Sequence, residues 1–154
     1  MYMTETKWVV ASVEELKGVA GELLGLWKQQ NIYEEAAVVV AISGDLGAGK
    51  TTFVQQVAQI LGVEETVTSP TFVIMKSYET SDSTFASLVH MDAYRIEDDS
   101  ELAPLNFLEV LTQPKTLLCI EWAERISASL PTRTIKMDLE SLPHGKHQLT
   151  YYAD

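Results

Sequence analysis

The chain has 154 residues, of which 46% are hydrophobic and 21% charged, and its net charge is −11. That is the length of one ordinary domain with one core; its longest apolar run, Ala36 to Ile42, falls far short of the roughly 18 residues of a membrane span. A protein that grips bare RNA or DNA needs clustered cations, and three arginines, Arg95, Arg125 and Arg133, with no basic run argue against direct nucleic-acid binding.

The first residues show no basic stretch followed by an apolar one, so no secretory signal is expected and a cytoplasmic location is the default expectation. Ser12 and Glu15 have the spacing of a capping box. Val13, Leu16, Ala20, Leu23, Leu24 and Trp27 follow at helical intervals, which predicts an amphipathic helix over 13–28. The apolar run over 36–43 reads as a central parallel strand covered on both faces. A glycine-rich turn over 44–49 follows, then a helix from Lys50 with Val54, Val57, Ala58 and Leu61 on one face and Gly62 placed to end it.

Residues 68–71 read as a loop around Pro70. Strands are predicted over 72–78 and 87–92, separated by a polar turn over 79–84. The acidic stretch 96–101 is expected to be exposed, and 102–111 to be a helix bent near Pro104. A second buried strand over 116–121 contains the single cysteine, Cys119, which has no partner for a disulfide and reads as a small buried hydrophobe. A short helix over 123–130 stops at Pro131. Strands over 134–139 and 148–152 form a hairpin around Pro143-His144-Gly145-Lys146. These elements predict one α/β domain over 1–154, a three-layer P-loop NTPase fold with a mostly parallel central sheet and an antiparallel C-terminal edge hairpin.

The turn carries chemistry. Gly44-Asp-Leu-Gly-Ala-Gly49-Lys50-Thr51 fits the phosphate-binding pattern G-x-x-x-x-G-K-[ST]. Its glycines let the backbone wrap phosphate oxygens with N–H groups pointing inward, and the following helix adds its positive end. Lys50 supplies a point charge for the β- and γ-phosphates, and the Thr51 hydroxyl is a ligand for Mg²⁺. A glycine loop with a chance lysine is the alternative, but a buried strand before the loop and a periodic helix after it meet the context the motif requires.

Such a loop needs a carboxylate from a second strand near the ion. Asp92, Glu121 and Glu124 lie at strand ends. Glu121 closes an apolar run that would carry it to the carboxyl edge of the sheet, where ligands bind in open α/β folds; its competing role is an N-cap for the next helix. Asp92 is placed to hold a metal-bound water or orient the attacking water, or to cap its loop. Arg95 offsets phosphate charge or lies on the surface. His90, two residues before Asp92, shares its strand face and reads as a satisfied strand residue. Thr68, Ser69 and Thr71 are either a γ-phosphate-sensing loop or a polar turn. Trp122 is placed to stack on a base or a partner, or to pack in the core.

Together with the P-loop, running on to Thr52, the segments Ser69-Pro-Thr-Phe72, His90-Met-Asp-Ala-Tyr-Arg95 and Ile120-Glu-Trp122 occur in an order that closely resembles the TsaE (YjeE) family over nearly the whole chain. The family is the small ATPase of bacterial tRNA threonylcarbamoyladenosine synthesis. The resemblance implies slow ATP hydrolysis that sustains turnover of a transferase made of TsaD and TsaB, with tRNA met only indirectly through that complex. It implies that Leu46, Gly47, Ala48, Gly49, Lys50 and Thr51, continuing into Thr52, wrap the phosphates. Thr51 and Glu121 would hold Mg²⁺ with Asp92 beside them, which makes Lys50, Asp92 and Glu121 the expected catalytic residues. It also implies that Trp122 is a functional aromatic near the site, with Glu124 and Lys146 as further nucleotide contacts. One departure stands out: where the family has an acidic helix and then a glycine, this chain has Pro104 and no glycine.

Other classes fit less well. A P-loop small-molecule kinase is the main alternative, but it needs arginines for an anionic acceptor and a lid. A GTPase needs a guanine-reading N-K-x-D segment, which is missing. A non-catalytic nucleotide-gated module is disfavoured by Lys50, Thr51, Asp92 and Glu121 all being in place.

Overall fold

The computed structural model of the chain describes residues 4–70 and 74–153. The helix α1 (Val13–Gln29) starts where the sequence signals it: the Ser12 hydroxyl accepts the Glu15 N–H at 3.2 Å, and the Glu15 carboxylate accepts the Ala11 N–H at 2.7 Å. The first bond satisfies a donor that a helix N-terminus leaves unpaired, and the second ties Glu15 back to the residue before the cap. The buried stripe of α1 runs through Leu16, Val19, Ala20, Leu23, Leu24 and Trp27. The strand β2 (Val38–Ser43) follows, β-branched and buried on both faces. Next comes α2 (Lys50–Ile60), closed by Gly62 at φ +79° with the Val63 N–H on the Ala58 carbonyl at 3.0 Å.

A preceding strand β1 (Thr4–Val10) joins β3 (Met75–Glu79), β4 (Ser87–Asp92), β5 (Thr116–Glu121), β6 (Ile135–Ser141) and β7 (His147–Ala153) in a seven-stranded sheet ordered β1-β7-β6-β2-β5-β4-β3. The middle four strands, β6-β2-β5-β4, are parallel; β3 on one side and the β7-β1 pair on the other are antiparallel. The C-terminal hairpin therefore lies one strand inside the edge, because β1 pairs with β7 from Thr4↔Ala153 to Val10↔His147. One core cluster joins α1 and α2 to Val38, Val40 and Ile42 of β2, Leu88 of β4, and Leu117 and Cys119 of β5. The other joins Val39, Ala41, Val89, Leu118 and Ile120 to the segments after β4 and β5. Strand alternation thus sends His90, Asp92 and Glu121 to the α2 side.

Several elements differ from the sequence expectation. Residues 102–111 do not form one bent helix. A 3₁₀ segment, Asp99–Leu105, contains Pro104; Asn106 then turns left-handed at φ 57°, and α3 (Phe107–Leu111) begins. Proline removes a helical donor and restricts the residue before it, and asparagine tolerates the left-handed region. Ile96 is buried at 1% exposure, so the acidic stretch is anchored by its first residue. The helix after β5 is a 3₁₀ run, Ala123–Ser129, interrupted at Ile126. The start of the strand predicted over 72–78 lies outside the described residues, and β3 begins at Met75. Among the described residues, no helix is long and apolar enough to cross a membrane.

Candidate functional site

The loop between β2 and α2 owes its shape to glycines. Gly44 has φ +147°, and a Cβ there would run into the Leu139 carbonyl; Gly49, at φ +102°, is the N-cap of α2. Left-handed backbone of this kind is cheap only for glycine. Lys50 and Thr51 therefore start α2 with the positive end of the helix at the loop. The hairpin braces the loop from behind: the Ser141 hydroxyl donates to the Gly47 carbonyl at 3.3 Å, and the His147 Nδ1–H to the Ala48 carbonyl at 3.0 Å.

Lys50 is 5% exposed. Its ammonium donates to the carbonyls of Gly44 at 2.5 Å and Asp45 at 2.9 Å, and lies 4.5 Å from the centre of the Trp122 ring. Trp122 reaches it because its backbone is left-handed at φ 57° immediately after β5. The aromatic contact continues outward: the Tyr94 ring is 5.0 Å from Trp122, and the Arg125 guanidinium is 5.2 Å from Tyr94.

Glu121 ends β5, 4% exposed. Both its oxygens accept the Thr51 hydroxyl, at 2.9 and 3.1 Å, and one lies 2.5 Å from His90 Nε2. It is not an N-cap; Trp122 occupies that position. Asp92 is its in-register neighbour at the end of β4 and is 5% exposed. One Asp92 oxygen accepts the Tyr94 N–H at 2.9 Å, so the loop-capping role is real and coexists with a place beside Glu121. Burial, and then the Glu121 charge, push the Cys119 thiol up to about 12, which leaves it an inert buried hydrophobe.

The remaining sequence candidates are less central. Glu124 is exposed, with an oxygen 3.4 Å from the Ser43 hydroxyl at the mouth of the loop. Lys146 is exposed at the hairpin turn, and Leu46 is 77% exposed at the loop tip. Thr52 lines a cleft of about 300 Å³ beside the loop with Val10, Val13, Leu16, Leu139 and His147. Trp122 is not part of that cleft and sits instead at the Lys50 end. Thr68, Ser69 and Arg95 are exposed, while Thr71 lies outside the described residues. Sequence reasoning missed Ser141 and His147, whose hairpin signal said nothing of what it would touch. It also undervalued His90, although the two-residue spacing to Asp92 had put it on the right face.

Thr51, Glu121 and Asp92 offer hard oxygen donors of the kind Mg²⁺ takes. Among the described residues, no group of three or more His, Cys, Asp or Glu side chains is arranged to hold a metal ion.

Comparison with known proteins identifies the family. Residues 10–149 match the family model for the threonylcarbamoyl adenosine biosynthesis protein TsaE. A relative from Bacillus subtilis, a tRNA threonylcarbamoyladenosine biosynthesis protein TsaE, is 32% identical over 98% of this chain and 87% of its own. The protein of that name from Rickettsia bellii is 34% identical over 95% of this chain and 94% of its own. The crystal structure of YdiB from Bacillus subtilis superposes with a TM-score of 0.69 at 27% identity, covering 99% of this chain and 88% of that one. With most of its length matched by the family model and by relatives above 30% identity, this chain belongs to the TsaE family.

Proposed function

We propose that this chain is a single P-loop ATPase domain that binds Mg·ATP, hydrolyses it slowly, and sustains tRNA threonylcarbamoyladenosine synthesis in the cytoplasm with TsaD and TsaB. The observation that carries the reading is the Thr51 hydroxyl held against Glu121 beside the buried Lys50 ammonium. A P-loop with Mg²⁺ requires this trio in one place. Family membership supports the pathway, and the net charge of −11 suits a protein whose tRNA is held by partners.

In this reading the loop amides of residues 46–51 and the start of α2 bind the phosphates. Lys50 exchanges its carbonyl partners for phosphate oxygens and neutralises charge that develops during transfer. Thr51 and Glu121 would hold the ion, which would supply positive charge to offset that of the phosphates. Asp92, beside Glu121, orients a water. The cleft of Val10, Val13, Leu16 and His147 receives the base, an apolar slot suited to a flat ring. Glu124 and Lys146 lie at the periphery and make auxiliary contacts.

The test is phosphate release from Mg·ATP by the protein alone and with TsaD and TsaB. Slow release that rises with the partners supports the reading. No response to the partners, with phosphate retained on a small-molecule acceptor, would replace it with the P-loop kinase.

A further inference from the structure

We propose that His90 is a positioning residue for the metal site: its imidazole orients the Glu121 carboxylate and thereby sets the affinity for Mg²⁺. The inference rests on the metal reading of Thr51 and Glu121 under the proposed function.

Three observations carry it. His90 has no exposed surface, and its Nε2 is 2.5 Å from Glu121 Oε2. Its Nδ1 is buried with no hydrogen-bond partner among the described residues. A proton on Nδ1 would be a buried donor with nothing to accept it, which is costly. The ring therefore carries its proton on Nε2 and donates it to the carboxylate. The third is placement. His90 lies between Lys76 of β3 and Cys119 of β5 in register, and it shares a strand face with Asp92. Its backbone is thus fixed on both sides by the sheet.

The consequence comes from the geometry of Glu121: both its oxygens accept the Thr51 hydroxyl, and Oε2 also lies 2.5 Å from His90 Nε2. When the Thr51 hydroxyl turns its oxygen to the ion, the imidazole is the contact that still fixes the carboxylate plane. Groups that orient a ligating side chain typically change metal affinity by about 10–100-fold when removed. The hydrogen bond of His90 goes to Glu121 and not to the glycine-rich loop, so ATP binding without metal should not depend on His90.

The experiment is calorimetric titration of ATP into wild type, His90→Leu, His90→Gln and His90→Asn, in EDTA and across a Mg²⁺ series. The Gln amide reaches the place of Nε2, and the Asn amide does not. The expected result is an Mg²⁺ requirement raised about tenfold in the Leu and Asn variants and largely restored in Gln, with the EDTA affinity unchanged. An unchanged Mg²⁺ requirement in Leu and Asn overturns the proposal. So does an equal loss of ATP binding in EDTA, which marks a merely structural role. If the wild type itself shows no Mg²⁺ effect, the metal reading falls as well. Should the variants fail to fold, nitrogen-15 spectra of the wild-type histidines decide. A proton on Nε2 of His90, with its resonance moved by Glu121→Gln, supports the proposal; a proton on Nδ1 sinks it.

Discussion

The hydroxyl of Thr51, in the first turn of α2, donates to both oxygens of Glu121, the last residue of β5. The two residues are 70 positions apart in sequence and meet because β2 and β5 run parallel with Ile42 opposite Glu121. A Glu121→Gln substitution keeps the shape and removes the charge. In the proposed reading Glu121 is a charged ligand of the ion, and removing that charge costs a few kcal/mol of transition-state stabilisation. Phosphate release should fall about a hundredfold, while ATP affinity measured in EDTA stays close to wild type. Equal loss of both would show that Glu121 only supports the fold.

The Lys50 ammonium is 4.5 Å from the Trp122 ring and hydrogen-bonded to the Gly44 and Asp45 carbonyls. A phosphate in the loop competes for that ammonium with stronger, charge-assisted bonds. Binding of Mg·ATP should therefore alter tryptophan emission, and Trp122→Phe should remove most of the change. Trp27, on the buried face of α1, has no exposed surface and supplies a constant background. A full-sized change in the Phe variant would show that Lys50 stays where it is.

Much of this site was legible before any coordinate. The glycine-rich loop is a local pattern, so its residues, its strand and its helix could all be read directly. Glu121 was found by its place at the end of an apolar run, a rule about sheet edges. Contacts made by tertiary packing were not legible. Nothing in His147 or Ser141 announces that the hairpin leans on Gly47 and Ala48. β1 was overlooked because Thr4-Glu-Thr-Lys-Trp-Val-Val10 is half polar, and pairing with β7 decides its state. The break at Asn106 was signalled by Pro104 but not located; Asn106 turns left-handed, and Phe107 after it is buried.

Asp82 ties the β3–β4 turn to α1. Its carboxylate accepts Lys28 at 2.7 Å and the N–H groups of Thr84 at 3.0 Å and Phe85 at 2.9 Å. Partial burial pushes its pKa up, but these bonds outweigh it and hold it below the ordinary 3.8. A carboxyl with a depressed folded value stabilises the fold above the unfolded value, and that contribution is lost as pH falls through the folded one. Asp82→Asn should lower stability at pH 7 by about 1 kcal/mol. The gap to wild type should narrow below pH 3.8. Urea unfolding at neutral and acid pH measures both, and a gap that stays constant with pH would show that the charge is irrelevant.

His147 connects the hairpin to the phosphate loop through the Ala48 carbonyl and forms one wall of the cleft proposed for the base. Truncation to alanine removes one hydrogen bond, worth about 1 kcal/mol in stability. It also frees a loop whose amides must converge on the phosphates, so the ordering that the hairpin now supplies would have to come from binding. ATP and ADP should both weaken, by about tenfold, with little change in the Mg²⁺ requirement, because the residues proposed to hold the ion, Thr51 and Glu121, bond to each other and not to the hairpin. Titration of the two nucleotides into His147→Ala checks this. A loss confined to ATP would instead place His147 near the γ-phosphate, and an unchanged affinity for both would leave the hairpin without a part in binding.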